Sequence, residues 1–158
     1  MGLQIVRRNQ NVFDYESTVI YKTFIALMIA IYIVLPATRI IQYPFNLAGI
    51  IIFLVGGYIA ISQKKFFQKT NTPMPPSSKP NMLHTKGAFR YTRNPMYLGI
   101  TIGIFGLAIL MSSFINFCFP VLFLVIMDMV YIRREEKILE DEFGDAYLEY
   151  KDNVRIWI

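Results

Sequence analysis

The stretch GAFRYTRNPMYLGI, residues 87–100, sets two arginines, an asparagine and a proline at the door of an almost wholly apolar run. Pro95 is tolerable in the first turn of a helix, where its missing N–H is no loss. The stretch therefore reads as a helix start, with Arg93 and Asn94 at its polar mouth. The positive end of the helix dipole and the N–H groups of the first turn face that mouth, an arrangement suited to the carboxylate of a ligand.

Beyond this doorway the chain is rich in apolar runs. It has 158 residues, 54% hydrophobic and 15% aromatic with only 17% charged, and a mean hydropathy of +0.41. A single domain over 1–158 fits that length. The composition predicts an all-α, polytopic membrane bundle of about four transmembrane helices, over 17–36, 45–61, 96–111 and 114–132. Ser112, Ser113 and Asn116 supply the hairpin between the last two spans, and Pro120 is a candidate kink. Arg7 and Arg8 precede a first run that lacks a small-x-small exit, which reads as a retained signal anchor rather than a cleaved leader. Gly56 and Ala60, and Gly99 and Gly103, fall at helix-packing spacing and would also permit a homodimer.

The cations set an orientation. Arg39 alone lies between the first two spans, whereas Lys64, Lys65, Lys69, Lys79, Lys86, Arg90 and Arg93 lie between the second and third. None lies between the third and fourth, and Arg133, Arg134, Lys137, Lys151 and Arg155 follow the fourth. This alternation predicts a multi-pass protein with both termini and the long middle loop in the cytoplasm. The net charge of +5 is distributed as topology signals and contacts to membrane lipids, so no nucleic-acid partner is expected. Cys118 lies alone in an apolar run, His84 is the sole histidine, and neither HExxH nor paired CxxC occurs, so no metal site is expected.

Two segments carry the remaining polar chemistry. The loop over 63–95 holds prolines that exclude a long central helix, yet Phe66, Phe67, Met82, Leu83, Phe89 and Tyr91 argue that it folds back onto the bundle as a cover. The tail over 133–151 reads as an amphipathic helix interrupted at Gly144, with Ile138, Leu139, Phe143 and Tyr147 on one face. Glu135 and Glu136 stand where the fourth span ends, level with the mouth of the third, and carboxylates there call for a cation or a polar ligand. Asp128, seven residues earlier, would share the Glu135 face two turns deeper. A plainer reading leaves Arg90 and Arg93 on anionic headgroups and pairs Glu135 and Glu136 with Arg133 or Arg134.

The segment NMLHTKGAFRYTRNPMYLG, followed by a helical hairpin and EEKILEDEFGDAYLEY, resembles the isoprenylcysteine carboxyl methyltransferase family and its bacterial and archaeal relatives. Phospholipid N-methyltransferases share this two-part signature, and the likeness covers about residues 70–151. It implies an integral membrane methyltransferase using S-adenosyl-L-methionine, with S-adenosyl-L-homocysteine as product and a lipid-like or isoprenylated carboxylate as acceptor. Carried over by position, it implies cofactor contacts from Asn81, Met82, Leu83, His84, Phe89, Asn94, Pro95, Met96, Tyr97, Glu135 and Glu136, and catalytic roles for Arg93 and Glu135. Arg133 and Arg134 would serve the substrate, although Tyr131 occupies the position of the arginine found in the isoprenylcysteine enzymes. Asn94, Phe89 and His84 stand where the family commonly has His, Tyr and Val, and NVRIWI replaces a proline-rich ending.

The chemistry suits such a pocket. Methyl transfer from a sulfonium to an ionised carboxylate neutralises two charges, so a water-poor pocket and in-line alignment favour it. The methyl acceptor stays open between an isoprenylated cysteine, a phospholipid amine and another amphiphile. An NADPH-dependent sterol-type reductase and a non-catalytic membrane scaffold compete as other classes.

Overall fold

The computed structural model describes residues 19–35, 40–70, 80 and 82–158. Among them there is no strand, and the architecture is an all-helical bundle. Helix α1 covers Val19–Val34, and a short 3-10 turn at Phe45–Leu47 leads into α2, Ala48–Lys69. After the loop come a 3-10 turn at Gly87–Arg90 and α3, Pro95–Met111. A third 3-10 turn, Phe114–Phe117, opens a long continuous rod. It passes through α4 (Cys118–Ile126), a π-helical stretch (Met127–Ile132) and α5 (Arg133–Phe143). Helix α6, Asp145–Asn153, follows Gly144.

Two rods, Phe45–Lys69 and Phe114–Phe143, are long and apolar enough to cross a membrane, at 25 and 30 residues; Val19–Val34 and Pro95–Met111 are apolar but shorter. The outward faces are greasy: Ile51, Leu54 and Tyr58 on α2 and Val121 and Met129 on the last rod are all more than half exposed. A helix apolar on its outside as well as its inside belongs in lipid. The core lies where α1, α3 and the last rod meet, around Met28, Ile104, Ala108, Phe123 and Met127. Phe24 of α1 meets Phe119 and Phe123 edge-on, at ring separations of 5.6 and 5.8 Å.

Glycine brings α2 and α3 together almost backbone to backbone. A Cβ on Gly56 would collide with the Gly103 nitrogen, and one on Gly99 would lie 2.7 Å from the Ala60 nitrogen. Gly49 and Gly106 extend the same seam beyond the expected four positions, each with a would-be Cβ that overlaps backbone of the other helix. At the far end the polar hairpin acts as a stitch. The Ser112 hydroxyl lies 2.6 Å from both the nitrogen and the carbonyl oxygen of Ile41. Asn116 is fully buried and directs its amide at the Met28 carbonyl.

Three details differ from the sequence reading. Helix α2 runs on to Lys69 rather than ending at Ile61, because Gln63–Lys69 is built of good helix formers and its two phenylalanines find partners. The cover therefore begins at Thr70, not at residue 63. Pro120 sits in the first turn of α4, just after the change from 3-10 to α geometry, where its missing N–H costs little. Asp128 does not share the Glu135 face: the π-helical stretch places residues five apart over one another, so Asp128 meets Arg133, at 3.2 Å. Arg7, Arg8, Arg39, Lys79 and Asn81 lie outside the described residues, as do both ends of the span expected at 17–36.

The glycine seam is testable. Gly106→Val should destabilise the protein by about 1–3 kcal/mol through overpacking, whereas Gly57→Ala, with nothing within 4 Å of the new Cβ, should not. Thermal unfolding of the detergent-solubilised variants measures both; equal losses would show that the seam does not hold α2 to α3.

Candidate active site

The C-terminal end of α2, the N-terminal end of α3 and the start of α5 lie at one end of the bundle. Between them is a pocket of about 760 Å³, partly open to solvent. Met82, Leu83, His84, Phe89, Asn94, Pro95, Met96, Tyr97, Glu135 and Glu136 line it, together with Arg93. The polar entrance to α3 and the acidic start of α5 thus face one space. Arg133 and Arg134 do not line it; both are exposed.

The loop is held down by rings. His84 stacks on Phe89 at 6.1 Å and meets Phe66 and Phe67 edge-on at 4.9 and 5.7 Å. Burial holds His84 below its usual range, so it is neutral at pH 7. Phe67 comes from the extension of α2 and forms part of the pocket wall. The sequence reading did not include it, nor Pro80, Leu139, Tyr147 and Tyr150, which also line the pocket.

Arg93 organises the polar wall. Its Nε and Nη2 donate to Glu136 Oε1 at 3.0 and 2.6 Å, and its Nη1 donates to the carbonyls of Lys151 and Val154. Its backbone N–H donates to the Arg155 carbonyl at 3.0 Å, and the neighbouring Thr92 hydroxyl to that of Ile156 at 2.8 Å. The end of the tail is therefore anchored against the mouth of α3. Gly144, at φ +51°, turns the chain so that α6 folds back, burying Tyr147 and aiming the Tyr150 hydroxyl at the Phe89 carbonyl, 2.7 Å away. Burial pushes the Tyr150 phenol up to about 12, which keeps it a donor. The signal for this lay in the tyrosines of DAYLEY, three apart on one helix face.

The two adjacent glutamates have different fates. Glu136 is matched by Arg93 and flanked by Lys151, whose Nζ is 3.7 Å away; it is an ionised structural partner. Glu135 is 8% exposed and accepts a hydrogen bond from the Tyr97 hydroxyl at 3.1 Å. No cation pairs with it among the described residues. It lies just past the apolar run that ends at Ile132. Burial pushes its carboxyl up to about 8, the Tyr97 hydrogen bond pulls against that rise, and the Glu136 charge adds to it. A buried acid of this kind can hold a proton near neutrality, or ionise against a ligand cation or ligand hydroxyls.

A bundle with apolar outward faces thus carries at one end a half-open pocket, mostly apolar in lining with a few convergent polar groups. Residues 45–146 match the model of the phospholipid methyltransferase family, and the chain belongs to that family of membrane methyltransferases. It is 30% identical over 63 residues, 40% of its length, to the whole of an uncharacterized protein of Haemophilus influenzae. It is also 31% identical over 80 residues, 49% of its length, to a protein-S-isoprenylcysteine O-methyltransferase of Schizosaccharomyces pombe, of which it spans 33%.

The raised Glu135 carboxyl fixes the sign of a pH effect. The folded protein holds this proton more tightly than the unfolded chain. Its contribution to stability is therefore full below about pH 4.5 and is lost as pH rises through about 8. Wild type should lose more thermal stability than Glu135→Gln between about pH 5 and about pH 8.5. Parallel pH profiles from differential scanning fluorimetry would show that Glu135 is not held protonated by burial.

Proposed function

We propose that the protein is an S-adenosyl-L-methionine-dependent methyltransferase acting on a lipid-like or isoprenylated carboxylate at the membrane surface. The observation that carries this reading is the shared pocket: a buried glutamate with no cation paired to it among the described residues faces the start of a helix across a partly closed space. Its donor set fits the cofactor: Glu135 offers a carboxylate to ribose hydroxyls or an amine, Phe89 and His84 offer ring faces to a base, and the α3 N-terminus offers a favourable field to a carboxylate. When bound, S-adenosyl-L-methionine supplies an electrophilic methyl group on a sulfonium.

The chain's own residues then have distinct tasks. Arg93, engaged with Glu136 and the tail carbonyls, acts by positioning: it fixes the mouth of α3 against α5. Leu83, Phe89 and Leu139 exclude water, which strengthens charge interactions inside the pocket. We also infer four crossings, with the pocket and both termini on the cytoplasmic side. The charge alternation and the gathering of the α2 end, the α3 start and α5 at one end of the bundle support that topology.

Transfer to a phospholipid amine is the second reading, favoured by the family's name and by the Glu135 carboxyl. An amine must lose a proton before it accepts a methyl group, and the Glu135 side chain, once ionised, is a carboxylate basic enough to receive it.

Purified protein in detergent should bind S-adenosyl-L-homocysteine and not NADPH in calorimetry. Glu135→Ala should weaken that binding about tenfold or more, as expected for a lost charge-assisted contact. Binding of NADPH alone would favour a reductase, and binding of neither ligand would favour a scaffold; both would refute the proposal.

A further inference from the structure

Three tyrosines, Tyr97, Tyr147 and Tyr150, line the pocket, and all three are buried. A buried phenol ordinarily finds a hydrogen-bond partner. The Tyr97 hydroxyl donates to Glu135 Oε1, and the Tyr150 hydroxyl donates to the Phe89 carbonyl. Tyr147 is the most deeply buried of the three, at 1% exposure, yet its hydroxyl makes no hydrogen bond among the described residues. Its ring is held without one, packed at 6.2 Å against Tyr150 on the helix that Gly144 turns inward.

The charges around that hydroxyl decide what it can meet. Burial does most to hold the Tyr147 phenol above its ordinary range. The Glu136 charge adds to this, Arg93 opposes it, and Tyr150 and Glu135 add again. The phenol therefore stays protonated, and the acids outweigh the guanidinium at that point. Arg93 is in any case committed to Glu136 and two carbonyls, and Lys151 to Glu136 and Glu140. An anion would be repelled from this corner of the pocket and a cation drawn to it. Glu135, in the same lining, has no cation among the described residues, and its Oε2 carries no hydrogen bond there.

We propose that Tyr147 is a ligand-binding residue whose hydroxyl oxygen accepts a hydrogen bond from an ammonium group of the ligand, with Glu135 balancing the charge. The proposal rests on the methyltransferase reading for the identity of the ligand. The ammonium can come from two sources, the amino-acid end of S-adenosyl-L-methionine or a methyl acceptor that is an amine. In either case Tyr147 positions the amine and exchanges no proton with it. A phenol is suited to this, because it offers an acceptor lone pair while keeping its own proton.

Tyr147→Phe removes the oxygen and keeps the ring. Because that oxygen bonds to nothing in the described structure, the ligand-free variant should unfold at the wild-type temperature or slightly above it. Calorimetry on the detergent-solubilised full chain then compares two pairs of ligands. The first pair is S-adenosyl-L-homocysteine and its deaminated analogue, with hydrogen in place of the amino group. The second is lysophosphatidylethanolamine and lysophosphatidylglycerol, which lacks the amine. In at least one pair the variant should bind the amine-bearing member about tenfold more weakly and the amine-free member as wild type does. A selective loss in the first pair assigns the ammonium to the cofactor, and one in the second assigns it to the acceptor.

A marked fall in the unfolding temperature of the ligand-free variant, equal losses for both members of each pair, or unchanged affinity for both amine-bearing ligands would overturn the proposal. Wild-type binding of S-adenosyl-L-homocysteine would then leave the methyltransferase reading standing. Selective loss of lysophosphatidylethanolamine in a protein that binds no S-adenosyl-L-homocysteine would uphold the ammonium site and refute the methyltransferase reading. Wild-type protein that binds none of the four ligands would overturn both.

Discussion

One buried charge pair governs the geometry of the active end. Arg93 enters the structure at the mouth of α3, and its guanidinium is closed over by Glu136 and by carbonyls from the end of α6. The side chains of Arg93 and Glu136 are 8% and 13% exposed. At that depth either ion alone would be costly, and removing one partner from such a pair costs about 3–5 kcal/mol. The pair thus fixes α3 relative to α5 and holds the returning tail against the doorway. The pocket exists because those three elements are kept at that spacing.

The same pairing explains why two neighbouring acids behave differently. Glu136 points toward the cation and is neutralised. Glu135, one residue earlier on the helix, points toward Tyr97 and the pocket. With Arg93 and Lys151 committed to its neighbour, Glu135 keeps unmet capacity for a partner in a nearly dry place. Part of the polar network is structural and part is left open for a ligand, and a single helical step separates them.

Much of this was legible in the chain. The apolar runs predicted the rods, Pro95 after Asn94 predicted the start of α3, and the glutamates after Arg134 predicted acids level with that start. The pairing of those two ends followed from a hairpin whose turn is marked by Ser112, Ser113 and Asn116. Other features depended on contacts that spacing does not encode. Phe67 joined the pocket because α2 continued past its apolar portion, and helix-forming lysines and glutamine look the same in a loop. Tyr147 and Tyr150 became a wall because Gly144 turned α6 inward, a direction that periodicity leaves open. Asp128 was misplaced by the π-helical stretch, since an i, i+7 argument assumes an α-helix throughout. Arg93 stood out in the sequence, but two of its partners are backbone carbonyls, of Lys151 and Val154, 58 and 61 residues further on, which no side-chain pattern signals.

The interdependence of mouth, acid and tail is best measured by a double-mutant cycle on Arg93 and Glu136, with the affinity for S-adenosyl-L-homocysteine and the unfolding free energy as joint readouts. If the pair builds the pocket, Arg93→Ala and Glu136→Ala each weaken both quantities, and the double variant loses far less than the sum, leaving a coupling of about 1–3 kcal/mol. Additive losses, or a ligand affinity untouched when the pair is broken, would contradict the central role of the Arg93–Glu136 pair.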